Sequence, residues 1–412
     1  MSPAALAETP RAESPRRHVI VPGPREGVRE PSARDLQRRA LLRDTGRPEA
    51  LADVLRRGRG APTNETGRFE RIAREAFVEE MPGEEEDEPR PLRTEVIEER
   101  PRTIIARNDS PDIGFDRSIN PYRGCEHGCF YCFARPTHAY HGLSAGLDFE
   151  TKLFAKPNAA ELLERELAAK GYVPKAIALG ANTDPYQPVE RRYRITRGIL
   201  EVLSRRDHPV GIVTKSHLVT RDIDILGPMA ERGLAKVAIS LTTLDPVLAR
   251  KMEPRAASPA RRLDAIKRLT DEGVPVTVLV APIVPAINDH EIERILEAAH
   301  AAGAREAGYV LLRLPHELKN LARDWLIDHY PDRLDRVLSL VRDTRGGKEY
   351  DATWGARQTG QGPYAWMIGR RFETAAKRLG MNERRARLRT DLFTPPARER
   401  KRADADQLSL FA

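Results

Sequence analysis

Cysteine is nearly absent from this chain of 412 residues, and its few copies are gathered in one place. All 3 cysteines, Cys125, Cys129 and Cys132, lie in the stretch RGCEHGCFYC at 123–132. An odd number of thiols with no partner elsewhere excludes the complete disulfide set that stabilises many small secreted domains. The clustering favours a metal instead, because thiolates are good ligands for soft or borderline metals.

Long apolar runs and an export signal are also lacking. No stretch approaches the roughly 18 apolar residues of a membrane helix. Residues 1–17 carry neither the basic start nor the apolar core of a secretory signal. Together with free thiols, these absences predict a cytoplasmic protein that does not span a membrane. Charged residues make up 32% of the chain, and the net charge of +8 permits a polyanionic partner.

The cysteine spacing, C-x3-C-x2-C, leaves two kinds of metal site open. Structural zinc normally takes four ligands, usually from two separate C-x2-C pairs. His127 is a fourth ligand on paper, although its position between the first two cysteines makes one shared tetrahedron awkward. An iron–sulfur cube held by three thiolates would instead keep one iron open for another molecule.

Short apolar segments alternate with amphipathic helical patterns from about residue 115 onward. Near-continuous apolar strands separated by helices predict an α/β fold with a parallel sheet covered by helices. With one strand at the cysteine loop, the alternation predicts a full or partial (β/α)6 barrel over residues 115–315. The later strands are expected within 175–180, 209–215, 235–242, 274–285 and 306–315.

The segments that flank this core differ from it in composition. Residues 1–100 are rich in Pro, Arg and Glu, which predicts a mostly disordered extension. Residues 316–392 carry helical patterns, and residues 393–412 are predicted to form a flexible basic tail. The stretch 369–412 contains 12 Lys or Arg and 6 Asp or Glu, so it supplies +6 of the net +8. Such a stretch would strengthen binding to a phosphate backbone.

Polar clusters follow the predicted strands, at the strand ends where chemistry collects in such folds. The clusters are GANTDPYQPVE, TKSH, SLTTLDP and PAIND. Each cluster alone is typical of a turn. Their shared position predicts one site that also includes the cysteine loop.

The cysteine motif has the form C-x3-C-x-aromatic-C, with Tyr131 at the aromatic position, and a βα array follows it. In this combination the chain resembles the radical S-adenosylmethionine (SAM) superfamily over roughly residues 115–315. The resemblance implies that Cys125, Cys129 and Cys132 hold a [4Fe–4S] cluster whose open iron binds SAM. It implies reductive cleavage of SAM to a 5′-deoxyadenosyl radical, which abstracts hydrogen from a substrate. It also implies an electron donor such as flavodoxin or ferredoxin.

The same resemblance assigns contacts to SAM. Many members carry a Gly-Gly-Glu-like turn after the second strand, where this chain has Gly180 and Asn182. A backbone carbonyl there, or Asn182, is therefore expected to bind the methionine amino group. Lys215 is expected to meet the methionine carboxylate and Ser240 the ribose, and Tyr131 completes the cofactor-binding set.

Within the superfamily, the chain resembles spore photoproduct lyase and its DNA-repair photolyase-like relatives. The matching segments are GANTDPYQPVE, TKS and KMEPRAASPARRLDAIKRL at 251–269. That lyase uses an additional cysteine as hydrogen donor, which this chain does not have, so Tyr186 is the expected alternative. We therefore expect a radical SAM lyase that repairs lesions in DNA. The alternatives are a radical SAM enzyme that modifies RNA or a protein, and a non-catalytic iron–sulfur protein.

The last residues, QLSLFA, match the short motif by which many bacterial repair proteins bind the DNA sliding clamp. Leu408, Leu410 and Phe411 are suited to apolar pockets, and Gln407 to fixing the register by hydrogen bonding. The charged lead-in would present the peptide away from the folded body. The sequence therefore predicts the sliding clamp as a partner and DNA as the working environment.

Overall fold

The structure is a computed structural model, and its main described parts are residues 58–70 and 92–396, with the short pieces 19–21, 37, 40–41 and 74–76. The strands in these parts are β1 (Val19–Val21), β2 (Arg74–Ala76), β3 (Glu95–Glu98), β4 (Ile105–Arg107), β5 (Arg117–Ile119), β6 (Tyr122–Arg123), β7 (Lys152–Ala155), β8 (Ile177–Leu179), β9 (Val210–Thr214), β10 (Ala235–Ser240), β11 (Val276–Ile283) and β12 (Glu306–Leu311).

The α-helices of the described residues are α1 (Asp148–Thr151), α2 (Ala159–Leu167), α3 (Glu190–Tyr193), α4 (Ile195–Arg205), α5 (Ile223–Glu231), α6 (Pro246–Met252), α7 (Pro259–Asp271), α8 (Ile292–Ala301), α9 (Leu318–His329), α10 (Leu334–Asp343), α11 (Ala356–Thr359) and α12 (Gly362–Arg378). Short 3₁₀ helices cover Arg135–His141, His217–Asp222, Asp289–Glu291 and Pro331–Arg333.

The main sheet has seven strands in the order β12-β11-β10-β9-β8-β5-β4. From β5 to β12 neighbouring strands pair in parallel, and at least one helix lies between each successive pair. β4 adds an antiparallel strand beside β5 at one edge. This arrangement confirms the predicted partial (β/α)6 barrel, in which all the connected strand ends point to one rim.

The sequence pattern explains why these segments pack as they do. β11 is a nearly continuous apolar run, VTVLVAPI, with no exposed residue, as expected for a strand covered on both faces. α4 buries Ile195, Ile199 and Leu203, which lie four residues apart and therefore share one face of the helix. The same period-four spacing buries Val337 and Val341 of α10. The carboxyl ends of the strands are thereby fixed at the rim that carries the polar loops.

A smaller sheet, in the order β3-β7-β6, lies beside the cysteine loop. Residues 60–63 are buried, and β3 pairs in parallel with β7. Residues 58–70 and 92–100, which lie within the stretch 1–100 predicted to be mostly disordered, are thus packed against the core. The reason is that backbone groups of this polar segment bind buried side chains of the core, which composition does not reveal.

The carboxyl-terminal part also departs from expectation. The predicted helices appear as α9, α10 and α12, but the chain after Arg378 runs over the barrel without further helix up to residue 396. At the start of the predicted flexible tail 393–412, the Phe393 ring lies 5.5 Å from that of Tyr172 and 5.3 Å from that of His208. Within the described ranges, no helix has the length and apolarity needed to span a membrane.

Candidate active site

The cysteine loop follows β5 at the rim of the barrel and depends on two glycines. Gly124 and Gly128 adopt φ of 72° and 69°, a conformation that favours glycine. A Cβ at Gly124 would lie 2.7 Å from the Leu153 side chain, and one at Gly128 would lie 2.7 Å from the Glu150 carboxylate. Close packing as well as backbone conformation therefore requires glycine at both places.

Gln187, in the loop after β8, holds the start of the cysteine loop. Its side chain is fully buried, donates to the Gly124 carbonyl at 3.0 Å and accepts from the Glu126 amide at 2.9 Å. Both backbone groups flank Cys125. The position of GANTDPYQPVE after a predicted strand indicates that it belongs to the site, but nothing in the sequence indicates this role of Gln187.

A buried ion pair, Arg135 with Glu150, holds the middle of the loop. Both side chains are fully buried, and their charged atoms lie 2.5 Å apart. Arg135 also donates to the Cys129 carbonyl at 2.8 Å. Glu150 in turn accepts the amides of Gly60 and Ala61 at 2.9 and 2.8 Å. One pair therefore connects the cysteine loop to the amino-terminal segment, a link between residues about ninety positions apart that no local pattern predicts.

Asp184 and Lys215 line the rim next to the cysteine loop. The Asp184 carboxylate accepts the Lys215 amide at 2.9 Å and the Thr214 hydroxyl at 2.7 Å. His127 Nδ1 lies 3.4 Å from a carboxylate oxygen of Asp184. Burial acts to raise the pKa of Asp184, but His127 and Lys215 outweigh it and lower the pKa to about 2. Asp184 therefore connects His127 of the cysteine loop to the strand end that carries Lys215.

Glu253 is the centre of a second, fully buried polar group at the rim. Its carboxylate binds the Arg262 guanidinium and the Tyr131 hydroxyl, and it accepts from the Thr242 hydroxyl at 2.8 Å. The Lys215 ammonium lies 3.9 Å from Glu253 and 5.6 Å from the centre of the Tyr131 ring. Burial opposes ionisation of Glu253, but Arg262 and Lys215 lower its pKa to about 2. The motif tyrosine is therefore fixed by a charged network.

The three thiols suit an iron–sulfur cluster better than a single ion. Cys125 and Cys129 are buried, and Cys132 is partly exposed. A structural zinc ion normally takes four ligands, and the chain offers three cysteines and no fourth. A cluster binds each thiolate through a separate iron, so its ligands stand apart. The positive charges of Lys215 and Arg262 act on Cys129, which favours an anionic ligand set.

Burial raises the pKa of Cys129 to about 12 and also raises that of Cys125. Both thiols are therefore protonated at neutral pH in the absence of a metal. Binding of iron must displace these protons, since the thiolate is the ligand.

The other predicted cofactor contacts lie at the same rim. Gly180 has φ of 84°, and a Cβ there would lie 2.2 Å from the Val213 carbonyl, so packing alone already requires glycine. The backbone N–H of Asn182 donates to the side-chain oxygen of Asn120 at 3.0 Å. The Ser240 hydroxyl donates to the Ala281 carbonyl at 3.0 Å, which leaves it able to accept a further hydrogen bond.

Tyr186 lies apart from these residues. It is fully buried in the main core, and its ring is 5.9 Å from the Arg221 guanidinium. Burial raises its pKa, with further contributions from Asp222 and Glu190. The structure thus brings Tyr131, Lys215 and the cysteines together. The Tyr186 ring instead points toward Arg221, Asp222 and Glu190.

A family model described as the radical SAM superfamily matches residues 119–299. An uncharacterised protein of Mycobacterium tuberculosis is 36% identical over 232 residues, covering 56% of this chain and 68% of that protein. An uncharacterised protein of Methanocaldococcus jannaschii is 28% identical and covers 42% of this chain and 62% of that protein. A protein of Pseudomonas phage M6 named radical SAM Nα-GlyT isomerase is 27% identical and covers 63% of this chain and 51% of that protein.

Among solved structures, a spore photoproduct lyase variant aligns with a TM-score of 0.47 at 14% identity, covering 84% of this chain and 91% of that chain. The lyase complexed with dinucleoside spore photoproduct gives the same TM-score at 13% identity, covering 75% of this chain and 87% of that chain.

Proposed function

The chain belongs to the radical SAM superfamily, and from that premise we propose that it is a lyase-type repair enzyme that acts on lesions in DNA. Its cofactors are those of the superfamily, a [4Fe–4S] cluster and SAM. When bound and reduced, the cluster supplies the electron that cleaves SAM and so starts hydrogen abstraction from the substrate. Cys125, Cys129 and Cys132 would hold it.

The residues around the cluster loop have separable tasks in this proposal. Lys215 would pair with the methionine carboxylate, and its charge is fixed in place by Asp184 and Glu253. Asn182 or the Gly180 carbonyl would receive the amino group, and Ser240 would accept from a ribose hydroxyl. The burial of Tyr131 and Glu253 would keep water away from the reacting centre, as radical chemistry requires.

Replacing Lys215 with alanine should weaken SAM binding to the cluster-loaded protein. A hydrogen bond to a charged group contributes about 1.5–3 kcal/mol, which corresponds to roughly a 10- to 150-fold higher Kd. Equilibrium dialysis with labelled SAM would measure it. Lys175→Ala is the matched control, because Lys175 is an exposed lysine paired with Asp116. Equal SAM affinity in both variants would remove Lys215 from the cofactor site.

One observation carries the choice of nucleic acid as substrate. Phe133, directly after Cys132, is 46% exposed, and the Arg313 guanidinium lies 5.4 Å from the centre of its ring. An exposed aromatic face beside an arginine suits stacking of an unpaired base. Enzymes that act on a base must take it out of the helical stack. The +6 charge of residues 369–412 adds attraction for phosphates.

The test compares ultraviolet-irradiated DNA, undamaged DNA and RNA of the same sequence. We expect irradiated DNA to raise the rate of 5′-deoxyadenosine release severalfold and the other two to have little effect. Phe133→Ala should weaken DNA binding by about 5- to 150-fold, from a stacking contribution of roughly 1–3 kcal/mol. Phe69→Ala, at a 57% exposed phenylalanine stacked on Tyr140, is the control. Stimulation by RNA or a protein alone would support the alternative substrates.

Two finer parts of the proposal, the hydrogen donor and the clamp partner, rest on the sequence. Tyr186 as hydrogen donor stays a prediction, and Tyr186→Phe would test it. Binding of the sliding clamp through Gln407, Leu408, Leu410 and Phe411 also stays a prediction, because these residues lie outside the described ones. The name of the phage relative, an isomerase, favours a catalytic role over a purely structural cluster. The proposal also places the protein in the cytoplasm.

A further inference from the structure

Two arginines near the carboxyl end of β12 have no carboxylate bound to them in the described part of the chain. Arg313 lies two residues after the last residue of β12, and Arg345 lies in the loop that follows α10. Arg345 is 1% exposed, and its guanidinium donates to the carbonyls of Leu312 and Ala356 at 2.9 and 2.5 Å. These carbonyls fix the position of Arg345 but do not neutralise its charge.

Each of the two guanidinium groups also keeps a buried donor that binds nothing. Nε of Arg313 and Nε of Arg345 both lack a hydrogen-bond partner. Burial, and then the charge of Arg313, lower the pKa of Arg345, so the two cations lie within range of each other. Asp351 and Tyr350 act in the opposite direction, but the Asp351 carboxylate accepts from the Thr353 amide at 2.9 Å. Unpaired charges and unsatisfied donors of this kind are costly, and an anion bound to Arg313 would offset part of the cost.

Arg313 lies beside the cysteine loop. Its guanidinium is 5.4 Å from the centre of the Phe133 ring, and Phe133 directly follows Cys132. Phe133 is 46% exposed and Arg313 is partly exposed, so both side chains can meet a molecule at the rim. Contact with an aromatic ring leaves the positive charge of an arginine in place. The carboxyl end of β12 is therefore a positively charged part of the rim, next to a ligand of the cluster.

We propose that Arg313, with its charge reinforced by Arg345, binds one phosphodiester group of the substrate beside the base that stacks on Phe133. The inference rests on the proposed DNA substrate and adds the group that fixes its position. The planar guanidinium presents a fork of N–H donors that matches two phosphate oxygens. Phosphate contacts position a nucleic acid, whereas contacts to its bases specify it. The reacting nucleotide is thus held at two points, its base on Phe133 and its phosphate on Arg313.

The experiment uses a DNA duplex with one bulged thymine, because the unpaired base fixes where the protein binds. The phosphates that flank this thymine are replaced one at a time by neutral methylphosphonates. Fluorescence anisotropy under anaerobic conditions measures the Kd of the full-length, cluster-loaded protein for each duplex. For the unchanged protein, one of these replacements should raise the Kd by about tenfold or more, because it removes a charge-assisted hydrogen bond.

Arg313→Gln should bind the unmodified duplex about tenfold or more weakly, and the sensitive replacement should then cause little further loss. Such non-additivity identifies the arginine and the phosphate as partners. The slope of log Kd against log salt should also fall by about one in this variant. Arg313→Lys keeps the charge and should recover part of the affinity. Arg268→Gln, at an exposed arginine in the last turn of α7, is the matched control and should bind as the unchanged protein does.

Equal sensitivity to the replacement in the unchanged protein and in Arg313→Gln would overturn the proposal, because the phosphate would then be bound elsewhere. Unchanged affinity of Arg313→Gln for the unmodified duplex, or no binding of that duplex by any form of the protein, would overturn it as well. None of these measurements depends on repair. If the phosphate and Arg313 prove to be partners while irradiated DNA fails to stimulate release of 5′-deoxyadenosine, the lesion substrate is wrong and the phosphate site is retained.

Discussion

Replacing Cys125 with alanine is expected to remove the iron from the protein and with it all cleavage of SAM. The chain offers three thiolates to a cluster and no fourth cysteine. Loss of one leaves two, too few to retain a [4Fe–4S] cluster. Iron content after anaerobic reconstitution should fall from about four per chain to near zero, with loss of the brown charge-transfer absorbance.

The control for this experiment removes a different sulfur. Met367, in α12, is 37% exposed and lies on the carboxyl-terminal helices. Met367→Ala should keep the full iron content. Iron retained by Cys125→Ala, or stoichiometric zinc in place of iron in the unchanged protein, would contradict the assignment of the loop.

Replacing Glu150 with alanine should be the most damaging change to stability. It leaves the Arg135 charge buried without its partner and the amides of Gly60 and Ala61 without an acceptor. Breaking a buried ion pair from one side costs about 3–5 kcal/mol. Urea unfolding of the metal-free protein would measure the free energy of unfolding.

A double variant separates the charge effect from loss of packing. Arg135→Met, Glu150→Leu removes both charges and keeps most of the volume, so it should lose less stability than Glu150→Ala alone. A loss below about 1 kcal/mol in Glu150→Ala would instead mean that water reaches the pair. It would also mean that the amino-terminal segment is not held by this carboxylate.

The barrel was predictable because its signal is local. Each of the strands β8 to β12 is an apolar run, and each is followed by a polar turn that marks its carboxyl end. Lys215 occupies one of those turns, whereas the cysteines were found from their clustering and their C-x3-C-x2-C spacing. Tyr186 belongs to one of these turns too, but the sequence does not tell which way a turn residue points, and its ring enters the core.

The residues that hold the site in place could not be predicted from local sequence patterns. Glu253 meets Tyr131 across 122 positions of the chain, and Gln187 meets Gly124 across 63. Polar pairing over such separations is set by the fold and leaves no periodic trace. The segment 58–70 is a similar case, because its polar composition predicts disorder while the buried Glu150 carboxylate binds the amides of Gly60 and Ala61.

The most direct test of the account is anaerobic incubation of the reconstituted protein with SAM and dithionite, followed by chromatography for 5′-deoxyadenosine and methionine. The account predicts both products in equal amounts from the unchanged protein and neither from Cys125→Ala. A protein that carries a complete [4Fe–4S] cluster, accepts electrons and binds SAM, yet releases no 5′-deoxyadenosine with or without irradiated DNA, would contradict it.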